Sequence, residues 1–574
     1  MIFQDLRKQT KQNLALTGVM FSVLAFWVFT RVSNINPAIL QDEFIYTYSS
    51  RRIGFWDQAP AYDFGNYLFN LIYSSTLVCG DAFYTCGKIL NLVFFTGFVF
   101  TLFLVALRYI PFWWSLGLSA AIYLSPLSVY VSMYLPESLY FFLIALSVLI
   151  ITYALETDSW KHWLIAGGFL GAAGLAKPHA LISLMALGLF VFIYSLGKRP
   201  VWKPMFVRGL SYLGGYLAVR VALGFLLAGP KSLNVFGAYG ASSGVGELVG
   251  SVATGNVDAT DTLVGAGSVE GALGLFPTQI VTHTFTVIAL LGASIAALLL
   301  VTLRVGLKRS ASPREAFILL VTIWLGVMVV AIVLFTGWIT GSGDDHTTRV
   351  LLRYYDFMFP IVALASLAAA FEAKGTIAKP WQRWLAVAGP ILIAGSAFGG
   401  YFANLTIQIA DAPNLAGYVV DRFTVDTVSI LGVLALVVLA FYPGLFKYAL
   451  SGALAFTLVM TGYQAQGQYQ FFRGPDSAAD SAGKYVAENF SQIERDSMAI
   501  VAASRFDARV ASLWMDSDNE IYFVSADATV PKEAERSGQG LFLVIGDFLP
   551  SPDAPLVFEG TGFSIFGSAI AEAK

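Results

Sequence analysis

The chain has 574 residues, 57% of them hydrophobic and 13% charged, with a mean hydropathy of +0.68. A soluble domain carries roughly 25% charge, so half that frequency, with 46 Phe, 26 Tyr and 12 Trp, excludes an ordinary globular protein and marks a polytopic α-helical membrane protein whose aromatics suit lipid-facing surfaces and interfacial belts. The net charge of −2 is uninformative about nucleic acid, and no nucleic-acid partner is expected.

Hydropathy divides the first 470 residues into about thirteen segments long enough, or nearly so, to span a bilayer. They lie near 12–31, 87–107, 112–131, 136–155, 162–176, 179–196, 208–229, 280–303, 316–337, 356–371, 385–403, 427–442 and 448–465. The first run has no convincing small-residue cleavage site and reads as a retained signal-anchor. With the N-terminus inside, the short inner connections hold Arg7, Lys8 and Lys11, Arg108, Lys161, then Lys198, Arg199, Lys203 and Arg208. Arg304, Lys308, Arg309, Arg314, Lys374, Lys379, Arg383 and Lys447 complete the set, 17 of the 35 basic residues. This positive-inside bias predicts a cytoplasmic N-terminus, an odd number of spans and an extracytoplasmic C-terminus.

Directly after the first span comes Asn36-Pro-Ala-Ile-Leu-Gln-Asp-Glu-Phe-Ile-Tyr, which sets the adjacent carboxylates Asp42 and Glu43 at the outer membrane boundary. Acids so close to hydrocarbon often have a task. A solvated loop start whose acids balance Arg51 and Arg52 is the alternative. The rest of the outer loop 32–86 is rich in aromatics. Tyr67 to Val78 suits an amphipathic helix on the membrane surface, with a re-entrant segment as the rival. Cys79 and Cys86 either close a small disulfide loop or stay unpaired.

Pro136-Glu137 suits a helix start, where a carboxylate is favoured, and capping alone would account for Glu137. Gly167, Gly168, Gly171 and Gly174 permit close helix packing. They lead to Lys177-Pro-His179 at an outer junction, where the cations meet either an anionic ligand or lipid headgroups. The Gly- and Ala-rich outer loop 230–279 is either mobile over the membrane or a lid. Between Trp338 and Pro360 lie Asp344, Asp345, His346, Arg349, Arg353 and Asp356. Arg349 and Arg353 would share a helix face and grip a phosphate through their planar forks; headgroup binding by an interfacial helix is the plainer explanation.

Residues 473–574 return to the charge frequency of a soluble protein. Helices at 480–490 and 505–514 alternate with strands near 497–503, 520–524, 540–545 and 555–559, which predicts a small extracytoplasmic α/β domain. No nucleotide-binding glycine pattern occurs at its strand ends. The membrane domain is assigned to 1–470, including the outer loops 32–86 and 230–279.

In order and on one side of the membrane, these motifs resemble the GT-C superfamily of polytopic glycosyltransferases, which includes protein mannosyltransferases and lipid A aminoarabinose transferases. Its acidic residues past the first span match Asp42-Glu43, and its acid at the outer start of the fourth span matches Glu137. Its small-residue run ending in Leu-x-Lys-x-x-Ala matches Gly174-Leu-Ala-Lys177-Pro-His-Ala180, and its later outer arginine matches Arg353. The likeness has some specificity over roughly the first 200 residues and is architectural beyond them. It implies transfer of a sugar from a polyprenyl-phosphate donor to an extracytoplasmic hydroxyl on an envelope glycan, lipid or protein, with inversion, at the inner (cell) membrane. Asp42 would be the base and Glu43 its partner or an acceptor ligand. Lys177, Arg349 and Arg353 would hold the donor phosphate, with Glu137, His179 and His346 as further candidates. No cofactor is expected and no metal is predicted, although acid-rich sites also accept divalent ions. A transporter or lipid flippase is the competing class; it predicts polar groups at span midpoints and an inverted repeat. The spans are nearly free of charge apart from Arg220. A membrane scaffold with an exported sensory domain is a third class.

Overall fold

The computed structural model describes residues 8–37, 40–53, 65–196, 202–233, 269–306, 312–340, 350–372, 380–398, 411–415, 421–469, 475–524, 529–537, 540–548 and 554–567, with 6, 405, 550 and 552. A helix lies over each of the thirteen apolar segments. Among the described residues, seven helices are long and apolar enough to cross a membrane, or eight counting one bent pair. The others are shorter or less apolar. The chain is a multi-span membrane protein.

Burial ranks the helices. In Glu137–Thr157, 89% of the most apolar window is buried, against 17% in Lys11–Val32, so the former is the centre of the bundle and the latter lies at its rim. Glu137–Thr157 packs between Phe83–Tyr109 and Trp160–Ala176. The glycine run works as its spacing suggests. A Cβ on Gly167 would stand 2.0 Å from the Tyr212 carbonyl oxygen, and one on Gly171 2.5 Å from that of Tyr216. Only hydrogen at these positions lets Trp160–Ala176 touch Trp202–Ala228 backbone to backbone.

Among the described residues, several of the connections assigned to the inner side are tied to one another. Arg108 pairs with Glu156, and Arg208 grips both Asp158 oxygens at 2.6 and 2.7 Å. Arg304 reaches Glu315 at 2.8 Å and Glu372 at 3.0 Å, and Arg314 donates to the Tyr109 carbonyl at 2.7 Å.

Three expectations change. The segment 112–131 is not one straight helix: Phe112–Leu124 and the 3-10 turn Pro126–Ser132 meet at 52°. Ser125 is extended there and its hydroxyl accepts from the Leu127 N–H, while Pro126 has no N–H with which to continue the helix. Tyr67 to Val78 is not a surface helix. A short helix, Tyr67–Tyr73, passes into the 3-10 segment Ser74–Ala82, and Tyr67, Phe69 and Tyr73 are fully buried against the bundle. The eighth helix runs Val269–Gly306 and so starts about ten residues early, with Pro277 inside it. Cys79 and Cys86 form a disulfide, Cα atoms 6.6 Å apart.

Beyond the last bundle helix, Phe446–Tyr469, five strands form one sheet: β1 Ala499–Ala502, β2 Ile521–Phe523, β3 Leu541–Ile545, β4 Leu556–Gly560 and β5 Phe563–Gly567. Their order is β2-β1-β3-β5-β4, with β1 parallel to β2 and β3, and β5 antiparallel to β3 and β4. β1 is buried throughout, as a strand covered on both faces should be. Ala478–Asn489 and Arg505–Met515 cover one face and Lys532–Ser537 the other. β5 was not foreseen in the sequence; it returns from β4 through a Thr561-Gly562 turn in which Gly562 takes φ +78°.

Candidate active site

Four chain segments far apart in sequence deliver charged side chains to one point at the ends of the helices. Asp42 and Glu43 stand in the first turn of the helix Leu40–Arg51, where exposed N–H groups favour anions. Glu137 occupies the first turn of Glu137–Thr157, behind Pro136. The chain then returns through Trp160–Ala176 and sets Lys177 at that helix's C-terminal end, which favours a cation. Arg353 lies in the 3-10 turn Leu352–Tyr354, its backbone N–H bonded to the Asp411 carbonyl at 2.7 Å.

Arg353 is the bridge. Its Nε donates to Glu137 Oε1 at 2.6 Å and its Nη2 lies 2.8 Å from Asp42 Oδ2. Lys177 Nζ donates to the same Glu137 oxygen at 2.7 Å. The Glu137 side chain is 0% exposed and that of Asp42 41%, which separates their roles: Glu137 organises the cations from within, and Asp42 faces outward. Burial works against the Arg353 charge, but Glu137 and Asp42 outweigh it and hold the guanidinium well above the ordinary arginine value. Burial pulls Lys177 below the ordinary lysine value in spite of Glu137, and Arg353 adds to the fall. Tyr46 is buried beside this group; desolvation, then the Asp42 and Glu137 charges, push its phenol well above the usual value.

Glu43 does not share Asp42's outlook. It is fully buried, and its Oε1 accepts from the Tyr84 hydroxyl at 2.5 Å and from the Tyr134 N–H at 2.8 Å. His179 lies next to Lys177 but stacks on Tyr354, ring centroids 4.4 Å apart. Arg349 and His346 lie outside the described residues. Tyr354, with Lys177 Nζ 5.1 Å from its ring centre, and the Asp411 carbonyl are parts of the site that sequence reasoning did not single out. The pair Arg353-Tyr354 beside an interfacial aromatic run was the available signal for Tyr354; nothing marked Asp411. Among the described residues no group of three or more His, Cys, Asp or Glu side chains is placed to hold a metal ion.

No protein-family model matches the sequence, and no curated protein matches it. Solved structures do. ArnT from Cupriavidus metallidurans in the apo state shares 15% identity over 96% of this chain and 98% of that one, with a TM-score of 0.45. The same protein bound to undecaprenyl phosphate gives 14%, 96%, 97% and 0.48. Archaeal oligosaccharyltransferase AglB from Archaeoglobus fulgidus, in complex with an inhibitory peptide and a dolichol-phosphate, shares 11% identity over 93% of this chain and 70% of that one, with a TM-score of 0.48. Both are GT-C glycosyltransferases. The likeness is one of overall outline. At this identity and TM-score it decides nothing about chemistry, so the functional reading rests on the side chains above.

Proposed function

We propose that this protein is a membrane-embedded, inverting glycosyltransferase that moves a sugar from a polyprenyl-phosphate donor to a hydroxyl acceptor at the extracytoplasmic face of the inner membrane. Residues 473–574 would form an outer domain above the spans 1–470. The observation that supports it is the Asp42–Arg353–Glu137–Lys177 cluster, with one carboxylate partly exposed and two cations behind it. An attacking hydroxyl must lose a proton, and a carboxylate within reach is a suitable base; Asp42 has the exposure for it. The leaving group is an anionic lipid phosphate, which needs positive charge more than it needs an acid. Lys177 and Arg353 supply that charge.

Formal charge constrains the sequence of events. Two cations and two carboxylates sum to zero, so a donor phosphate gains most where it displaces a carboxylate from a cation. Asp42 is the exposed partner of Arg353, whereas Glu137 is enclosed. Donor binding against Arg353 would loosen the Asp42 contact and leave that carboxylate free to accept the acceptor's proton. The acids and cations lie at helix ends rather than span midpoints, an arrangement that favours chemistry at the surface over a transport path.

The test is to incubate purified protein with a panel of polyprenyl-phosphate sugars and envelope acceptors and follow loss of the lipid-linked sugar. Transfer by the wild type, reduced about 10²–10⁴-fold in Asp42→Asn with donor binding retained, is the expected result. Undiminished transfer by Asp42→Asn would remove the base assignment.

A further inference from the structure

The helix Leu40–Arg51 carries the proposed base at one end and two arginines at the other, and each end is held by a different part of the protein. At the first end, Asp42 meets Arg353 and Glu43 is fastened by Tyr84 and Tyr134. At the other, Arg52 Nη1 lies 2.8 Å from Asp516 Oδ1 and its Nη2 donates to the Asp516 carbonyl at 2.6 Å. Arg51 Nη1 lies 3.3 Å from the same Asp516 oxygen. Asp516 closes the helix Arg505–Met515 with φ +53°. Its carbonyl also accepts from Gln492 Nε2 at 3.1 Å, and Arg495 donates to the Met515 carbonyl at 3.1 Å. Four side chains thus converge on the negative end of that helix, where cations are favoured.

A second path runs parallel to the first. Trp514, one residue before the C-terminal end of the same helix, packs edge-on against Phe83 with centroids 5.6 Å apart and lies 6.1 Å from Tyr84. Its indole N–H is fixed by Asp480 at 2.7 Å. Tyr84 is the residue that holds Glu43. On the near side, the Arg509 guanidinium sits 4.8 Å over the ring of Phe44, next to Glu43. The α/β part therefore touches the base-bearing helix at its last turn, in its first turn through Phe44, and once more through the tyrosine that fastens Glu43.

We propose that Asp516 is a positioning residue: through Arg51 and Arg52 the C-terminal α/β part sets the rotation of the helix Leu40–Arg51, and so the direction in which Asp42 faces. The proposal rests on the function given above for its catalytic consequence, but not for its mechanical half. With Asp516 released, the helix keeps its ties at Glu43 and at Ser50, whose hydroxyl lies 3.0 Å from that of Tyr134, and loses the contact that limits twisting about them. Because neighbouring side chains leave a helix about 100° apart, a turn of even a small part of that angle moves Asp42 out of line with Arg353. An acceptor docking on the α/β part could use the same connection to influence the base.

The experiment uses the full chain in lipid nanodiscs, with Asp516→Asn and Arg52→Gln. Asn tolerates the left-handed backbone of position 516, so the first variant removes charge without adding strain. The second approaches the same contact from the other side. Hydrogen exchange of the backbone over 43–51 is the first readout, and steady-state transfer the second. The expected result is faster exchange over 43–51 in both variants, with unchanged exchange in Glu137–Thr157. kcat should fall roughly 10–100-fold while the donor KM stays within about twofold, and the double variant should be no worse than either single one. Unchanged exchange over 43–51 overturns the proposal whatever the activity. Faster exchange with an unaltered kcat reduces the contact to a structural tie and overturns the positioning role. A wild type that transfers no sugar from the donor panel overturns the glycosyltransferase reading, and exchange alone then decides the mechanical link.

Discussion

Arg353 donates its Nε–H to Glu137 Oε1 across 216 positions of sequence, at 2.6 Å and with both side chains buried. Lys177 shares the same oxygen, so one enclosed carboxylate touches both cations, and Asp42 pairs with Arg353 from the open side. Removing one partner of a buried pair leaves an unpaired buried charge, at a cost of about 3–5 kcal/mol. Glu137→Gln should lower stability by about that amount, read as a fall in unfolding temperature in detergent. Asp42→Asn, at the exposed end of the cluster, should cost under about 1 kcal/mol. Equal losses in the two variants would contradict the division between an organising and an outward-facing acid.

Arg353→Lys keeps one positive charge but cannot address Asp42 and Glu137 together, because an ammonium has no planar fork. Donor affinity should weaken roughly tenfold or more, with a loss of turnover beside it. Binding of a fluorescent polyprenyl-phosphate sugar measures the first and product formation the second. An unaltered affinity would take the phosphate role away from Arg353.

Burial lowers the Lys177 pKa below that of a free lysine, with Glu137 opposing the fall. A protonated lysine holds phosphate and a neutral one does not. Its contribution to donor binding should therefore be complete well below its own pKa and be lost as pH rises through that pKa, earlier than free lysine chemistry would dictate. Lys177→Arg, which stays charged, should flatten the alkaline fall in affinity. Identical pH profiles for the two proteins would exclude Lys177 from the donor site.

Reporter tags check the orientation on which the whole reading depends. A tag ahead of Met1 should report the cytoplasm and one after Lys574 the exported side. The reverse pattern would put Asp42 and Arg353 on the wrong face for a lipid-linked donor presented outside.

Much of the outline could be read from residues alone, because the properties involved are local. A span announces itself by continuous apolarity, a close helix pair by Gly167 and Gly171, and the shared side of Asp42, Glu137, Lys177 and Arg353 by the alternation of basic and acidic connections. The two helices read in the α/β part had their own start signals, Ser477 accepting the N–H of Asp480 and Ser504 that of Asp507. The strand β5 escaped although it is as long as β3 and β4, because Ser564, the preceding Gly560 and Gly562 and the terminal Gly567 break up its apolar residues. What no local property reports is rotation and partnership. Asp42 and Glu43 are neighbours of the same charge, yet a helical step of about 100° leaves one beside Arg353 and half open to solvent while the other is enclosed against Tyr84 and Tyr134. Whether Glu137 was a helix cap or the hub of a charge cluster was likewise undecided, since either use places a carboxylate behind Pro136. Only the packing of Trp160–Ala176 and the 3-10 turn at Arg353 against its helix end settled the matter. Buried charges hold their state through partners that the fold brings from elsewhere in the chain.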